Sequence, residues 1–556
     1  MTSSSTASTN EGAAVREYDV IVIGAGLAGI GMLRRLRDDG FSVVVLEAGG
    51  GVGGTWYWNR YPGACCDSAS EVYSYSFSDE LLQTWSWKTR YPTQPQVLSY
   101  LEYVTERFDL NRHIEFNQRV ESATFETGDN RWRVRTEAGG VFAARYVLTA
   151  VGCLSEPLVP SYEGLDDFAG EVYYTARWPH EEVDLRGKRV AVIGTGSSGI
   201  QIIPAIADDV AQLTVFQRTA NYAIPARNRP LTTEDEAKIK ANYPAIREEA
   251  RWTPTGNLYR PDEASALTVD PDERRRRYQR DWDEGGFQLL FGGYYDLGSD
   301  EEANATVTDF VREKIGSVVA DPATREKLVP RDHPIGTKRP PLDEHYFEVF
   351  NRENVTLVDL KAEPVVRIAA HGILTAKAEY PLDVIIFATG FDAVTGALNK
   401  IDIGTSDGRK LRQEWADGPR TYLGVATAGF PNLFMITGPQ SPSVMGTVTI
   451  SIEQHIEWIG DLLSYARAHD IDLIEATAQA QDAWVSHVQD LIAGALLAKY
   501  SSWYLGSNVP GKTRTILTYA GGVGTYRARA DEVRDAGYEG FTLTPSHAPA
   551  GAGGGR

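Results

Sequence analysis

Twice in this chain a short apolar run feeds straight into a glycine loop of the same spacing. That repetition limits the fold more than any other feature. The first copy runs Tyr18–Ile23, then Gly24-Ala25-Gly26-Leu27-Ala28-Gly29. A helical pattern follows through Ile30, Leu33 and Leu36, and then Val43–Leu46, ending at Glu47. The second runs Lys188–Ile193, Gly194-Thr195-Gly196-Ser197-Ser198-Gly199, a helical Ile200–Ile206, and Leu213–Phe216 followed by Gln217, Arg218 and Thr219. Strand, G-x-G-x-x-G and helix, in that order, open a βαβ unit that cradles a dinucleotide pyrophosphate. Gly24 and Gly194 turn the chain, Gly26 and Gly196 let backbone approach phosphate, and Gly29 and Gly199 let helix and strand pack closely. The helix N-terminus adds unpaired N–H groups and a positive dipole end.

The two copies differ where the second strand ends. Glu47 lies 18 residues after Gly29 and can accept hydrogen bonds from a ribose diol, so the first unit reads as an FAD or NAD site. The second carries Arg218 there instead of an acid. An acid would repel a ribose 2′-phosphate, whereas Arg218 would bind it, so this unit reads as an NADP site. Two later strands also end in glycine: Tyr146–Val151 before Gly152, and Asp383–Ala388 before Thr389-Gly390. Such endings let backbone pass close to a nucleotide and suggest chain crossings between two nested domains.

The chain's 556 residues suggest two to four domains, and its 12 Trp and 27 Tyr can line apolar pockets. A net charge of −20 repels phosphodiester backbones, so no nucleic-acid partner is expected. Three cysteines (Cys65, Cys66 and Cys153), with no C-x-x-C pair, read as ordinary thiols in a reducing cytoplasm. The nine histidines form no metal-binding motif. The apolar runs are strand-length, so no membrane span is expected. Residues 1–14 and 546–556 read as disordered tails.

Beyond the loops lie Gly53-Gly54-Thr55-Trp56-Tyr57-Trp58-Asn59-Arg60-Tyr61-Pro62-Gly63, Gly336-Thr337-Lys338-Arg339-Pro340, Ala388-Thr389-Gly390-Phe391-Asp392, and Ser502-Trp503-Tyr504 through Asn508. With these motifs the chain, from about Tyr18 to Tyr538, resembles the Baeyer–Villiger monooxygenases. These flavoenzymes use FAD, NADPH and O2 to turn ketones into esters or lactones. Its general look is nearer the members acting on steroids and phenylacetone than the flavin N-oxygenases. The family fingerprint F-x-G-x-x-x-H-x-x-x-W-P is present at Phe168, Gly170, Trp178 and Pro179, but its histidine position holds Tyr174. Tyr keeps an aromatic ring but cannot become cationic, which puts coupling between the cofactors in question more than reaction class.

The resemblance implies an α/β fold of two nested Rossmann-like domains. An FAD domain would span residues 15–152 and 385–545, and an NADP domain 153–225 and 332–384. A helical insertion, 226–331, would sit within the NADP domain as a packing and lid element. It also implies roles. Arg339 would stabilise the C4a-peroxyflavin and the tetrahedral adduct, and Asp67 would orient Arg339. Lys338 would join Arg218 and Thr219 on the 2′-phosphate, and Trp503 would pack beside the nicotinamide ribose. For FAD it adds Gly54, Thr55, Trp56, Tyr73, Val120 and Val448 to Glu47 and the first glycine loop. Thr447 stands where relatives often have Asn. Sulfoxidation is a plausible side activity; N- or S-oxygenation, or poorly coupled NADPH oxidation, are the alternative readings. The ketone itself and the oligomeric state are not legible.

Overall fold

The protein is described by a computed structural model, which covers residues 14–546; the two expected tails lie almost wholly outside that range. Both nucleotide units form as their patterns require. Arg16–Ile23 and Val43–Leu46 flank the helix Leu27–Asp38, and Arg189–Ile193 and Gln212–Gln217 flank the helix Ser197–Ile206. Val20–Ile23 and Val190–Ile193 are buried throughout, as unbroken apolar runs are when parallel sheets are covered on both faces.

The first sheet has eight strands. Along it stand, in order, Asp402–Thr405, Val120–Glu126, Arg131–Thr136, Val141–Thr149, Arg16–Ile23, Val43–Leu46 and Ile114–Glu115, with Leu433–Met435 also paired to Val141–Thr149. The second is a five-stranded parallel sheet in the order Val355–Asp359, Gln212–Gln217, Arg189–Ile193, Val384–Phe387 and Glu171–Tyr174. The chain therefore builds most of the first sheet, leaves for the second, and returns. The nesting expected from the glycine-ended strands is what this order shows. The return comes later than expected, however. Val384–Phe387 belongs to the second sheet, so the crossing falls after residue 387 and not between 384 and 385.

Register sets the two crossings against the two glycine loops. Thr149 pairs with Ile23, and Phe387 pairs with Ile193. The next residue on each crossing strand then meets the first glycine of each loop. A Cβ on Gly24 (φ +104°) would lie 2.6 Å from the Ala150 carbonyl oxygen, and one on Gly194 (φ +115°) 2.3 Å from that of Ala388. Both positions therefore require glycine twice over, by dihedral and by space.

Residues 226–331 are helical, and their two ends are clasped together by the parallel pairing of Ile224–Pro225 with Leu342–Asp343. Thr232 and Asp235 form a capping box at the start of Thr233–Trp252, and Asp270 and Asp300 cap Pro271–Glu284 and Glu301–Val318. The insertion does not sit only on the second body. Tyr278, Phe287, Val307 and Phe310 join the core of the second sheet, but Thr233–Trp252 packs on Val448–Ala468 and Val523–Asp535 of the first. The reason is a buried ion pair. Arg247, 4% exposed, reaches Glu453, 7% exposed, and also donates to the Val72 carbonyl at 2.9 Å; Ser76 donates to the same carboxylate.

Removing one member of a buried pair strands the other. Arg247→Ala should cost about 3–5 kcal/mol, read as a lower urea midpoint at unchanged slope in the FAD-loaded protein. A loss below about 1 kcal/mol would show that apolar contacts alone hold this helix.

Candidate functional site

A cavity of about 1430 Å³ runs between the two sheets. It is lined by every residue given a catalytic or cofactor-binding role from the sequence except Gly29 and Gly199. Those two face inward to the helices: a Cβ on either would fall 1.8 or 2.2 Å from the carbonyl oxygen of Gly24 or Gly194. Their place is helix-to-strand contact, not the cavity wall.

At the first loop, Glu47 is 5% exposed and accepts from the backbone N–H groups of Ala25 and Gly49, both at 2.7 Å. The carboxylate is thus fixed at the loop rim, on the cavity wall. Gly54 closes against Gly26, where a Cβ would come within 2.9 Å of the Gly26 Cα. Behind them the Trp56 indole donates to the Tyr73 hydroxyl at 3.1 Å. Thr55, Val120 and Val448 complete this part of the wall. Val448 begins the long helix Val448–Ala468, and Thr447 before it is buried with its hydroxyl unpartnered among the described residues.

At the second loop, the Thr195 hydroxyl donates to the Thr219 carbonyl at 3.2 Å, tying the glycine turn to the end of the second strand. Nothing lies within 4 Å of where a Gly196 Cβ would stand, so that backbone faces open space. Ser197 and Ser198 open the helix there. Arg218 is exposed and Lys338 half-buried. Neither has an ion-pair partner within 4 Å among the described residues. Burial, with Lys361 and Arg218 nearby, pushes the Lys338 ammonium below its ordinary value despite the influence of Asp332. Burial acts against ionisation at Asp332, but Lys361 and His333 hold its carboxyl down to about 2. The result is a cationic corner whose charge an anion would relieve, the chemistry that a ribose 2′-phosphate supplies.

Between the two loops, Arg339 Nε donates to Asp67 at 2.7 Å and Nη1 to the Val444 carbonyl at 3.3 Å. The Arg339 side chain is 14% exposed, and its guanidinium stands 4.7 Å from the centroid of the Phe287 ring. Burial works to lower its pKa; Asp67 and Tyr504 outweigh that and hold it above the ordinary arginine value. The cation is therefore permanent in a largely dry place. Trp503 lines the same cavity and packs on Tyr504 at 4.1 Å between ring centroids. Asn508 donates to the Phe391 carbonyl at 2.9 Å, and Lys512 pairs with Asp392, so this segment is fastened to the second crossing.

Two residues beside the site were not foreseen, one packed behind the wall on Arg339 and one on the wall itself. Phe287 comes from the insertion, and no local pattern marks it; the only signal is the Gly285-Gly286 pair before it, both at positive φ. Arg177 lies inside the fingerprint segment, donates to the Ser155 carbonyl at 2.9 Å and sits 4.7 Å over the Trp58 ring. Tyr174 is not on the wall. It ends the strand Glu171–Tyr174, and its ring stacks on Phe387 at 5.1 Å and 20°. His180 packs against Tyr57 at 4.5 Å and does not take Tyr174's place. The three cysteines are free, and burial pushes the Cys65 thiol up to about 12 and the Cys66 thiol well above its ordinary value.

Two glycine-loop folds that share one cavity define a two-dinucleotide oxidoreductase. A profile of the pyridine nucleotide-disulphide oxidoreductases matches residues 21–241. Acetone monooxygenase (methyl acetate-forming) of Gordonia sp. (strain TY-5) is 41% identical over 95% of this chain and 99% of its own length. Phenazine N-monooxygenase of Lysobacter antibioticus is likewise 41% identical, over 95% of this chain and 97% of its own. A solved structure of oxidized steroid monooxygenase bound to NADP is 47% identical, with a TM-score of 0.91 over 96% of this chain and 100% of that one. The chain belongs to the Baeyer–Villiger monooxygenase family. No described helix is long and apolar enough to cross a membrane.

Proposed function

We propose that the chain holds FAD on the first glycine loop and NADPH on the second, and converts a ketone to an ester or lactone. The balance is ketone, O2, NADPH and a proton giving ester or lactone, NADP+ and water. When bound, the nicotinamide supplies the hydride and the flavin the oxygen activation. The observation that carries the reading is the half-buried Arg339–Asp67 pair on the wall shared by both loops. Gly24, Gly26, Glu47, Gly54, Thr55, Trp56, Tyr73, Val120 and Val448 would hold the flavin nucleotide. Gly194, Gly196, Thr195, Ser197, Ser198, Arg218, Thr219 and Lys338 would hold the nicotinamide nucleotide, with Trp503 against its ribose.

Arg339 does the electrostatic work. As negative charge gathers on the former carbonyl oxygen of the substrate, a guanidinium already fixed by Asp67 and the Val444 carbonyl receives it without reorganisation. Asp67 keeps the fork aimed and so acts through Arg339. Trp503 lines the cavity, and the buried rings of Phe287 and Tyr504 pack behind Arg339; together they restrict water around the guanidinium. The free cysteines and the net charge of −20 support a cytoplasmic site of action and argue against a nucleic-acid partner.

The phenazine N-monooxygenase relative favours a second reading, oxygen transfer to nitrogen, at equal identity. Ketone, amine and sulfide offered together, with products identified by mass, separate the two.

Arg339→Ala should still bind FAD and be reduced by NADPH, yet form ester at least about 100-fold more slowly, the scale of losing one oxyanion-stabilising group. Ester formation near the parent rate would remove Arg339 from the chemistry. Arg218→Ala should lose about 1.5–3 kcal/mol of preference for NADPH over NADH, the worth of a hydrogen bond to a charged group. The ratio of kcat/KM for the two nucleotides reads it, and an unchanged ratio would place the phosphate elsewhere. Because Tyr174 stacks on Phe387 off the cavity wall, Tyr174→His should leave product formed per NADPH consumed unchanged. Its Tm should fall through loss of a ring contact worth about 0.5–1.5 kcal/mol. A rise in that ratio would show that Tyr174 limits coupling.

A further inference from the structure

Gln201 lies on the helix Ser197–Ile206, two residues beyond the second glycine loop and about one turn from the helix start. Its side chain leaves that body and brackets Cys65 in the loop leading to Asp67. Nε2 donates to the Cys65 carbonyl at 3.0 Å, while Oε1 accepts from the Cys65 N–H at 3.4 Å and from the Tyr61 hydroxyl at 2.7 Å. The helix backbone touches the same loop. A Cβ on Gly63 (φ +82°) would fall 2.5 Å from the Gln201 carbonyl oxygen. The loop's other side is fixed to the first body, with the Cys66 N–H on the Pro92 carbonyl at 2.9 Å. Gln201 lines the main cavity and also a second one of about 500 Å³ behind Cys65 and Cys66. The loop thus has empty space on two sides and a polar tether from the nucleotide helix.

We propose that Gln201 is a positioning residue that transmits occupancy of the second glycine loop to the loop carrying Asp67, and through Asp67 to Arg339. The helix is ten residues long, so phosphate seated at its N-terminus and the Gln201 amide move as one body. A displaced helix draws on both backbone groups of Cys65, two residues from Asp67. This rests on the assignment of NADP(H) to the second loop.

Cys65 is a reporter that reads the loop without turnover. It is half-buried and its thiol is raised to about 12 by burial, so alkylation is slow and its rate follows opening of the loop. FAD-loaded protein is treated with iodoacetamide, with and without saturating NADP+, and the Cys65 adduct is located by fragment-ion sequencing. NADP+ binding is measured separately by calorimetry. In the parent protein NADP+ should slow labelling of Cys65. Gln201→Ala should label about tenfold faster without nucleotide, the worth of the lost hydrogen bonds, and should bind NADP+ while losing its effect on labelling. Tyr61→Phe, which removes one bond and keeps the amide, should show a smaller change in the same direction. A full NADP+ effect on Cys65 in both variants would overturn the proposal, because the nucleotide would then act by shielding. Failure of the parent protein to bind NADP+ would instead overturn the assignment of the second loop.

Discussion

The bond between Arg339 and Asp67 joins two parts of the chain 272 residues apart. Asp67 stands in a loop of the first body, and Arg339 stands where the chain leaves the helical insertion for the second sheet. Each side chain alone would be poorly placed. A guanidinium 14% exposed would bear a desolvation cost without an anion. Asp67 would lack its orienting fork without Arg339. Their pairing therefore requires that both sheets, the insertion and the 502–504 segment already be assembled. The cavity wall is a product of the whole fold and not of either nucleotide unit.

That assembly rests on a repeated device. In both units the strand after the glycine loop, the strand before it and the crossing strand end at the same level. The crossing carbonyl presses on the first glycine: Ala150 on Gly24, and Ala388 on Gly194. This contact is what places each chain crossing beside a helix N-terminus, at the mouth where nucleotides lie in open α/β sheets. Two such mouths facing one another make one cavity.

The sequence carried the local parts of this well. Strand, glycine loop and helix lie within about thirty residues, and their periods and spacings are set by steric rules that act locally. Glu47 and Arg218 stand out in the sequence for the same reason, since each sits at a fixed offset from its loop, and both line the cavity. The pairing of Arg339 with Asp67 was legible only through resemblance, because nothing local links them. Phe287 was missed because its role depends on how the insertion folds back. The division of that insertion between two bodies was missed because Arg247 and Glu453 look like ordinary helical charges until both are buried. The return crossing was set too early because Val384–Phe387 reads equally well as an end of either sheet.

Charge distribution explains how so acidic a chain can hold two polyanionic nucleotides. The net charge of −20 acts at long range, where salt screens it within about 10 Å. Binding is decided inside that distance. The first loop offers backbone N–H groups and a helix N-terminus, and Glu47 is held at its rim by its own bonds to Ala25 and Gly49. At the second, Lys338 and Arg218 stand near one another without ion-pair partners among the described residues, and Asp332, which could have neutralised them, is already engaged by Lys361 and His333. The corner is thus left cationic by the neighbouring pairs.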